Sequence, residues 1–257
     1  MRKLLPLAVL FFGSCSTGMK YFDPALLYTD ISYQPKPVSI DSLKTANYIS
    51  LGLNQKETNT ESGSYDMLTS LQLDISRAHT LKNLCFSYGI FGMMGYMKNK
   101  AIEAGEPYYY DKKTFSAAGV RASVNTYVKK GNIDYRFIGA ELSYSKEFGD
   151  FAAYRKTIYR ELNYYSVHNT GLLTAGLTSE VILHNYKYSD RQAGARLFVG
   201  RTLNNLVYRG PVPVNSSPEK PKTTNVSIAL FGQIKKVVVI LEGGSGGNGL
   251  VKLGYRF

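Results

Sequence analysis

The chain has 257 residues, with 31 Lys and Arg against 19 Asp and Glu for a formal charge of +12, and only two cysteines. That length suits one large β domain or two small ones, and so few cysteines exclude a disulfide-stapled fold. Twenty-one Tyr and twelve Phe with no Trp make an aromatic load suited to an interface, where one end of a ring is apolar and the other wet.

Arg2 and Lys3 precede a nine-residue apolar run, Leu4 to Phe12, too short for a hydrocarbon core that needs about 20 residues. Residues 1–14 therefore read as a removable signal peptide. The block Phe12-Gly13-Ser14-Cys15 resembles the bacterial lipobox, and the resemblance implies lipidation (palmitate) at Cys15, the mature N-terminus. Cys85 then has no intrachain partner. An exported protein does not meet nucleic acid, so the positive charge points to anionic lipid head groups and cell-surface polysaccharide. Residues 15–45, with Pro24, Pro35 and Pro37 and little alternation, are expected to form the lipidated N-terminus and an extended periplasmic tether.

Residues 46–257 carry the period-2 signature of strands. Ile49, Leu51 and Leu53 oppose Ser50, Gly52 and Asn54; Leu71, Leu73 and Ile75 oppose Ser70, Gln72, Asp74 and Ser76; Leu84, Phe86, Tyr88 and Ile90 oppose Cys85, Ser87 and Gly89. Alternation lapses over 91–113, which is expected as a long loop. Val120, Ala122 and Val124 then oppose Arg121, Ser123 and Asn125, and after a Gly131-Asn132 turn Ile138, Ala140, Leu142 and Tyr144 oppose Gly139, Glu141 and Ser143. Phe151, Tyr154, Ile158 and Leu162 recur at three and four residues, predicting a short surface helix within 148–163. Leu173, Ala175 and Leu177 oppose Thr174, Gly176, Thr178 and Glu180, while Leu197 and Val199 oppose Arg196 and Phe198, an aromatic on the polar side. Four prolines rule out regular strand over 204–223. Strands near 225–233 and 236–242, a Gly-rich hairpin at 243–247, and a last strand with Val251, Leu253, Tyr255 and Phe257 on one face complete ten.

The pattern predicts an all-β fold: an antiparallel up-and-down transmembrane β-barrel of about 10 strands, with a short helix in one long loop. The even count and the alternation of short and long connections suit such a barrel. A soluble barrel that packs its apolar face inward is the alternative; its outer face would then carry long charged side chains, whereas the polar face here is mostly Gly, Ser, Asn and Thr. The ending Leu253-Gly254-Tyr255-Arg256-Phe257 resembles the C-terminal signal of outer-membrane proteins, which implies that Tyr255 and Phe257 are read by the barrel assembly machinery. Leader and ending together resemble the outer-membrane β-barrel lipoproteins of Bacteroidota-type bacteria. The resemblance implies an outer-membrane location, with outer-membrane lipids and other envelope proteins as partners, and brings no activity with it.

Arg121, Glu141, Glu180 and Arg196 fall on the inward phase of four successive strands and are expected to form one alternating charge network, packing the narrow lumen rather than lining a pore. A barrel enzyme would need a His or paired carboxylates at one rim. His168, near Ser166 and in the same loop as Glu161, is the only candidate, since His79 and His184 fall at the short-turn end. No metal spacing, nucleotide motif or phosphate-cradling loop occurs, and no cofactor is expected. A structural or partner-docking role is the leading expectation, then a small pore, then an enzyme.

Overall fold

The computed structural model describes residues 20–39, 44–59, 65–100, 102, 104–106, 108–158, 164–185, 191–210 and 220–257. Thirteen strands occur among them: β1 (Lys20–Phe22), β2 (Thr45–Asn59), β3 (Tyr65–Thr80), β4 (Leu84–Lys98), β5 (Lys112–Lys130), β6 (Ile133–Phe148), β7 (Tyr164–Val167), β8 (Gly171–His184), β9 (Arg191–Thr202), β10 (Tyr208–Arg209), β11 (Thr224–Ile234), β12 (Val237–Gly244) and β13 (Asn248–Arg256). Ten of them close into one barrel in the order β11-β12-β13-β2-β3-β4-β5-β6-β8-β9, with β9 returning to β11. Every neighbouring pair in the wall is antiparallel. The remaining three, β1-β7-β10, form a small sheet outside the wall.

The apolar phase faces outward. Leu51 is 49% exposed and Leu253 61%, and each of the ten barrel strands contributes large apolar side chains to the exterior. Ser50, Asn54, Gln72, Asp74, Ser143 and Thr178, on the opposite phase, are buried. This is the reverse of a soluble barrel and removes the lipocalin-like alternative.

One end of the barrel has tight connections and the other has long ones. Gly131-Asn132 joins β5 to β6, with Gly131 in the left-handed region at φ 60° where a Cβ would strain the turn, and Lys235-Lys236 joins β11 to β12. At the far end lie the connections between β4 and β5, β6 and β8, and β9 and β11. The helix predicted over 148–163 is confined, among the described residues, to α1 (Asp150–Arg155), a single short element whose Phe151 and Tyr154 are buried. The β9–β11 connection, expected to lack strand, contains the two-residue β10, which pairs with β7 rather than with the wall.

One sequence boundary falls elsewhere than expected. β4 runs on to Lys98, well inside the expected 91–113 loop, while β5 starts at Lys112, close to its expected end; Phe91, Met93, Met97, Phe115 and Ala117 face inward in a stretch where the lumen is itself apolar. With both faces apolar, the period-2 contrast vanishes while the strands continue. The anomalous Phe198 is wholly buried. Its ring lies on the backbone of Gly176 and Gly200, where a Cβ would stand 2.6 and 2.5 Å from ring carbons, and the Arg196 guanidinium covers it at 4.9 Å. Gly176→Val should therefore lower the unfolding free energy in detergent by the ~1–3 kcal/mol typical of overpacking or more; an unchanged midpoint in thermal unfolding would contradict this packing.

Candidate functional site: a lumen filled by the chain's own N-terminal segment

Residues 20–39 do not form a tether outside the barrel. They enter it from the long-loop end and run down the lumen to the short-turn end, so the expected periplasmic spacer is a plug. The reason is donor and acceptor matching. Pro24, Pro35 and Pro37 lack N–H groups, which leaves carbonyl oxygens in excess, and the wall meets them with cationic and hydroxyl donors.

The contacts descend in levels. At the top, the Ala25 N–H donates to Glu147 Oε2 at 3.1 Å, Arg155 Nη2 donates to the same oxygen at 3.0 Å, and Lys56 Nζ reaches the Ala25 carbonyl at 3.3 Å. At mid-height, the Asp30 carbonyl accepts from Arg121 Nε at 2.8 Å and from the Ser143 hydroxyl at 2.7 Å. Ser32 Oγ is the hub: Arg121 Nη1 and Lys252 Nζ each donate to it at 2.6 Å, and Gln72 Nε2 at 3.3 Å. Tyr33 donates its N–H to Glu242 at 2.9 Å and stacks its ring on Phe231 at 4.2 Å. Lower down, Lys36 Nζ pairs with Glu180 at 2.6 Å, and the Pro37 carbonyl accepts from Arg136 Nη2 and Thr80 Oγ1, each at 2.8 Å. At the exit, Ser39 donates its N–H and hydroxyl to the two oxygens of Asp134 at 2.8 and 2.6 Å. The crevice between Ile31, Ser32 and Gln34 and the wall at Arg121 and Glu141 has no room for a water molecule.

Arg121, Glu141, Glu180 and Arg196 all point into the lumen and are buried, but they do not make one network. Arg121 pairs with Asp74 at 2.6 Å, and Lys252 meets the other oxygen of Asp74 at 2.9 Å, its stem passing over Gly52. Arg196 forms a two-point pair with Glu141 and a second with Glu242 at 2.9 Å. It reaches Glu242 because Ala229, between them in the register, is small. Glu180 pairs with Arg136 at 2.8 Å as well as with Lys36. The segment threads between these groups and divides them.

Asp74 and Lys252 stand on the polar phase of their strands and are legible as inward charges; Glu242 shares its phase with Val238 and Ile240 and is not. Arg136 and Asp134 are not legible either. A bulge sets Phe137 and Ile138 both outward, and such an extra residue reverses the phase of everything below it.

The remaining predicted residues are dispersed. Cys15 and Glu161 lie outside the described residues. Tyr255 and Phe257 are exposed on the outer wall, and Phe257 exchanges backbone hydrogen bonds with Asn47 at 3.0 and 3.2 Å, extending the β13–β2 seam to the last residue. His168 follows β7 in the long-loop cap, where partial burial and then the charges of Arg209, Arg155 and Lys156 hold it below the usual histidine range. The hydroxyl of Ser166 donates to the Arg155 carbonyl. His79 lies on the outer wall stacked on Phe86 at 4.6 Å. His184 approaches Asp134 at 3.3 Å, with the carboxylate between it and Ser39, so the imidazole is not placed to take the serine proton. Among the described residues no cluster of His, Cys, Asp and Glu could hold a metal ion.

No protein-family model and no curated protein matches the sequence. Solved barrels resemble it. The translocator domain of autotransporter NalP from Neisseria meningitidis is 11% identical, covering 85% of this chain and 90% of that one with a TM-score of 0.39. The β domain of the Bordetella autotransporter Brka is 10% identical over 84% and 99%, also at 0.39. The deltaS2S3 mutant of the monoaromatic hydrocarbon channel TodX is 10% identical over 93% and 73%, at 0.37. The likeness is one of barrel to barrel.

Buried pairs stripped of one partner typically cost about 3–5 kcal/mol. Asp74→Asn and Arg121→Met should each lower the unfolding free energy on that scale, and the double variant should cost well under their sum. The coupling between Arg121→Met and Glu141→Gln should be smaller. Denaturant titration of the three single variants and the two double variants checks the order, and a larger Arg121–Glu141 coupling would contradict the pairing described here.

Proposed function

We propose that the protein is an outer-membrane β-barrel lipoprotein of the bacterial envelope, lipidated at Cys15, whose role is structural or partner-docking. The apolar exterior supports the membrane assignment. A soluble monomer rarely exposes apolar patches beyond a few hundred Å², whereas here the band runs round all ten strands and is bordered by polar groups such as Gln55 and Glu57 at one edge and Arg77 at the other. The short and long connections, at opposite ends, fit periplasmic turns and outward loops.

The filled lumen carries the functional reading. A pore would need the plug to leave, and with it the partners of Glu180, Glu242 and Asp134. A barrel enzyme would need a nucleophile–base pair, and the hydroxyls of Ser166 and Ser39 are committed elsewhere. The docking reading assigns function to the long-loop cap. There β1, β7 and β10 carry Tyr21, Tyr164, Tyr165 and Tyr208, with Tyr21 stacked on Tyr165 at 5.4 Å and tilted against Tyr208 at 4.8 Å. Tyr109 beside it is exposed, and Lys112 lies over Tyr96 at 5.0 Å. Rigid tyrosines flanked by cations suit another envelope protein or an anionic surface. In planar bilayers the purified wild-type protein should stay silent, and a partner recovered from native membranes should be lost in Tyr109→Ala with the barrel still heat-modifiable. Steady ion-selective openings of the wild type, altered by Arg121→Ala, would favour the pore instead.

A further inference from the structure

The direction of the plug fixes on which side of the barrel Lys20 stands. β1 pairs in parallel with β7, Lys20 opposite Tyr164, and β10 pairs with the other edge of β7. β7 and β10 belong to the two longest connections of the long-loop end, so Lys20–Phe22 is built into that cap. Phe22 is buried there, with its ring edge-on to Tyr154 at 5.8 Å. The other end of the plug is tied to the opposite rim, where Ser39 bonds to Asp134 beside the Gly131-Asn132 turn and Thr80, the last residue of β3, bonds to the Pro37 carbonyl.

The span between these ties is measurable along a single strand. Ala25 is bonded to Glu147 and Ser39 to Asp134, thirteen residues apart on β6. At ~3.3 Å per residue that is about 43 Å along the strand, and with a tilt of about 40° roughly 30 Å along the barrel axis. The plug thus crosses the whole height of an apolar band that is ~25 Å tall in such barrels. Lys20 and the start of β2 at Thr45 lie on opposite sides of it.

The geometry points to an anchor on the outward face: Lys20 stands among the long loops, and a lipid on Cys15 lodges in the outer, cell-surface leaflet rather than the periplasmic one. Cys15 is five residues ahead of Lys20. Five extended residues reach about 18 Å, too little to return across an apolar band of ~25 Å. The expected periplasmic tether, with its lipid in the inner leaflet, would need the plug to run the other way or to lie outside the barrel. Acyl chains in the outer leaflet would sit beside the same barrel wall, so the protein would be held twice from one side, by its strands and by its lipid. This inference rests on the membrane and lipidation readings above, and each of the three can fail separately.

The test uses the full chain in its own cells. Metabolic labelling with a palmitate analogue should tag the wild type, and the tag should be lost in Cys15→Ala; equal labelling would remove the lipid and leave only the outward placement of Lys20. One epitope is inserted after Gly18 and, in a second version, after Gly131. Both versions should fractionate with the outer membrane as heat-modifiable barrels, and loss of both from that fraction would overturn the membrane reading and this inference with it. Antibody should bind intact cells carrying the Gly18 epitope at a level little changed by permeabilisation, and should bind the Gly131 epitope only after permeabilisation. A Gly18 epitope that is silent until cells are permeabilised would overturn the inference with the membrane reading intact.

Discussion

A barrel that turns its apolar side chains outward must settle the charges it turns inward, and everything else in this protein depends on how it does so. Asp74, Glu141, Glu180 and Glu242 meet Arg121, Arg136, Arg196 and Lys252 in a lumen where each is almost wholly buried. Ions removed from water cost several kcal/mol each unless pairing and hydrogen bonding offset the loss. The wall pairs its charges but leaves donor and acceptor capacity over, and residues 23–39 take it up. The segment suits the task because it offers both donors and acceptors: Ala25, Tyr33, Lys36 and Ser39 donate to Glu147, Glu242, Glu180 and Asp134. Proline removes N–H groups where none could be met, and the carbonyls of Asp30 and Pro37 receive the guanidinium and hydroxyl groups that the wall pairs leave spare.

The same constraint explains the glycines and small residues of the inward face. A long side chain can reach its partner only where the intervening strand offers no obstacle. Gly52 lets the stem of Lys252 pass toward Asp74, Ala229 lets Arg196 reach Glu242, and Gly176 and Gly200 form the floor for Phe198. What looks in the sequence like a bland polar face is a relief map of the charges and rings that cross it.

Much of the wall was legible because burial has a period of two in a strand. Ile49-Leu51-Leu53, Leu71-Leu73-Ile75 and Val251-Leu253-Tyr255 each define a face without help from any neighbour, and the ten strands of the wall follow. The reading broke where a second influence shared the period. In β4 and β5 the apolar cluster beneath the cap made Phe91, Met93 and Phe115 inward, so the contrast disappeared. At the bulge of β6 one extra outward residue hid Arg136 and Asp134, two groups that hold the exit of the plug. The plug itself was invisible for a different reason. An extended, proline-containing segment reads the same whether it lies in water or in a lumen, and only the inward charges Asp74 and Lys252, beyond the four named residues, hinted that something more was needed there.

The central claim is that residues 25–38 are interior, and hydrogen exchange reads it most directly. In the folded, detergent-solubilised barrel, a peptide covering these residues should exchange as slowly as peptides from β2 and β13, because its amides are shut away from water although few of them belong to a ladder. Complete exchange within seconds, at the rate of a solvated tether, would contradict the plug and with it the outward placement of Lys20.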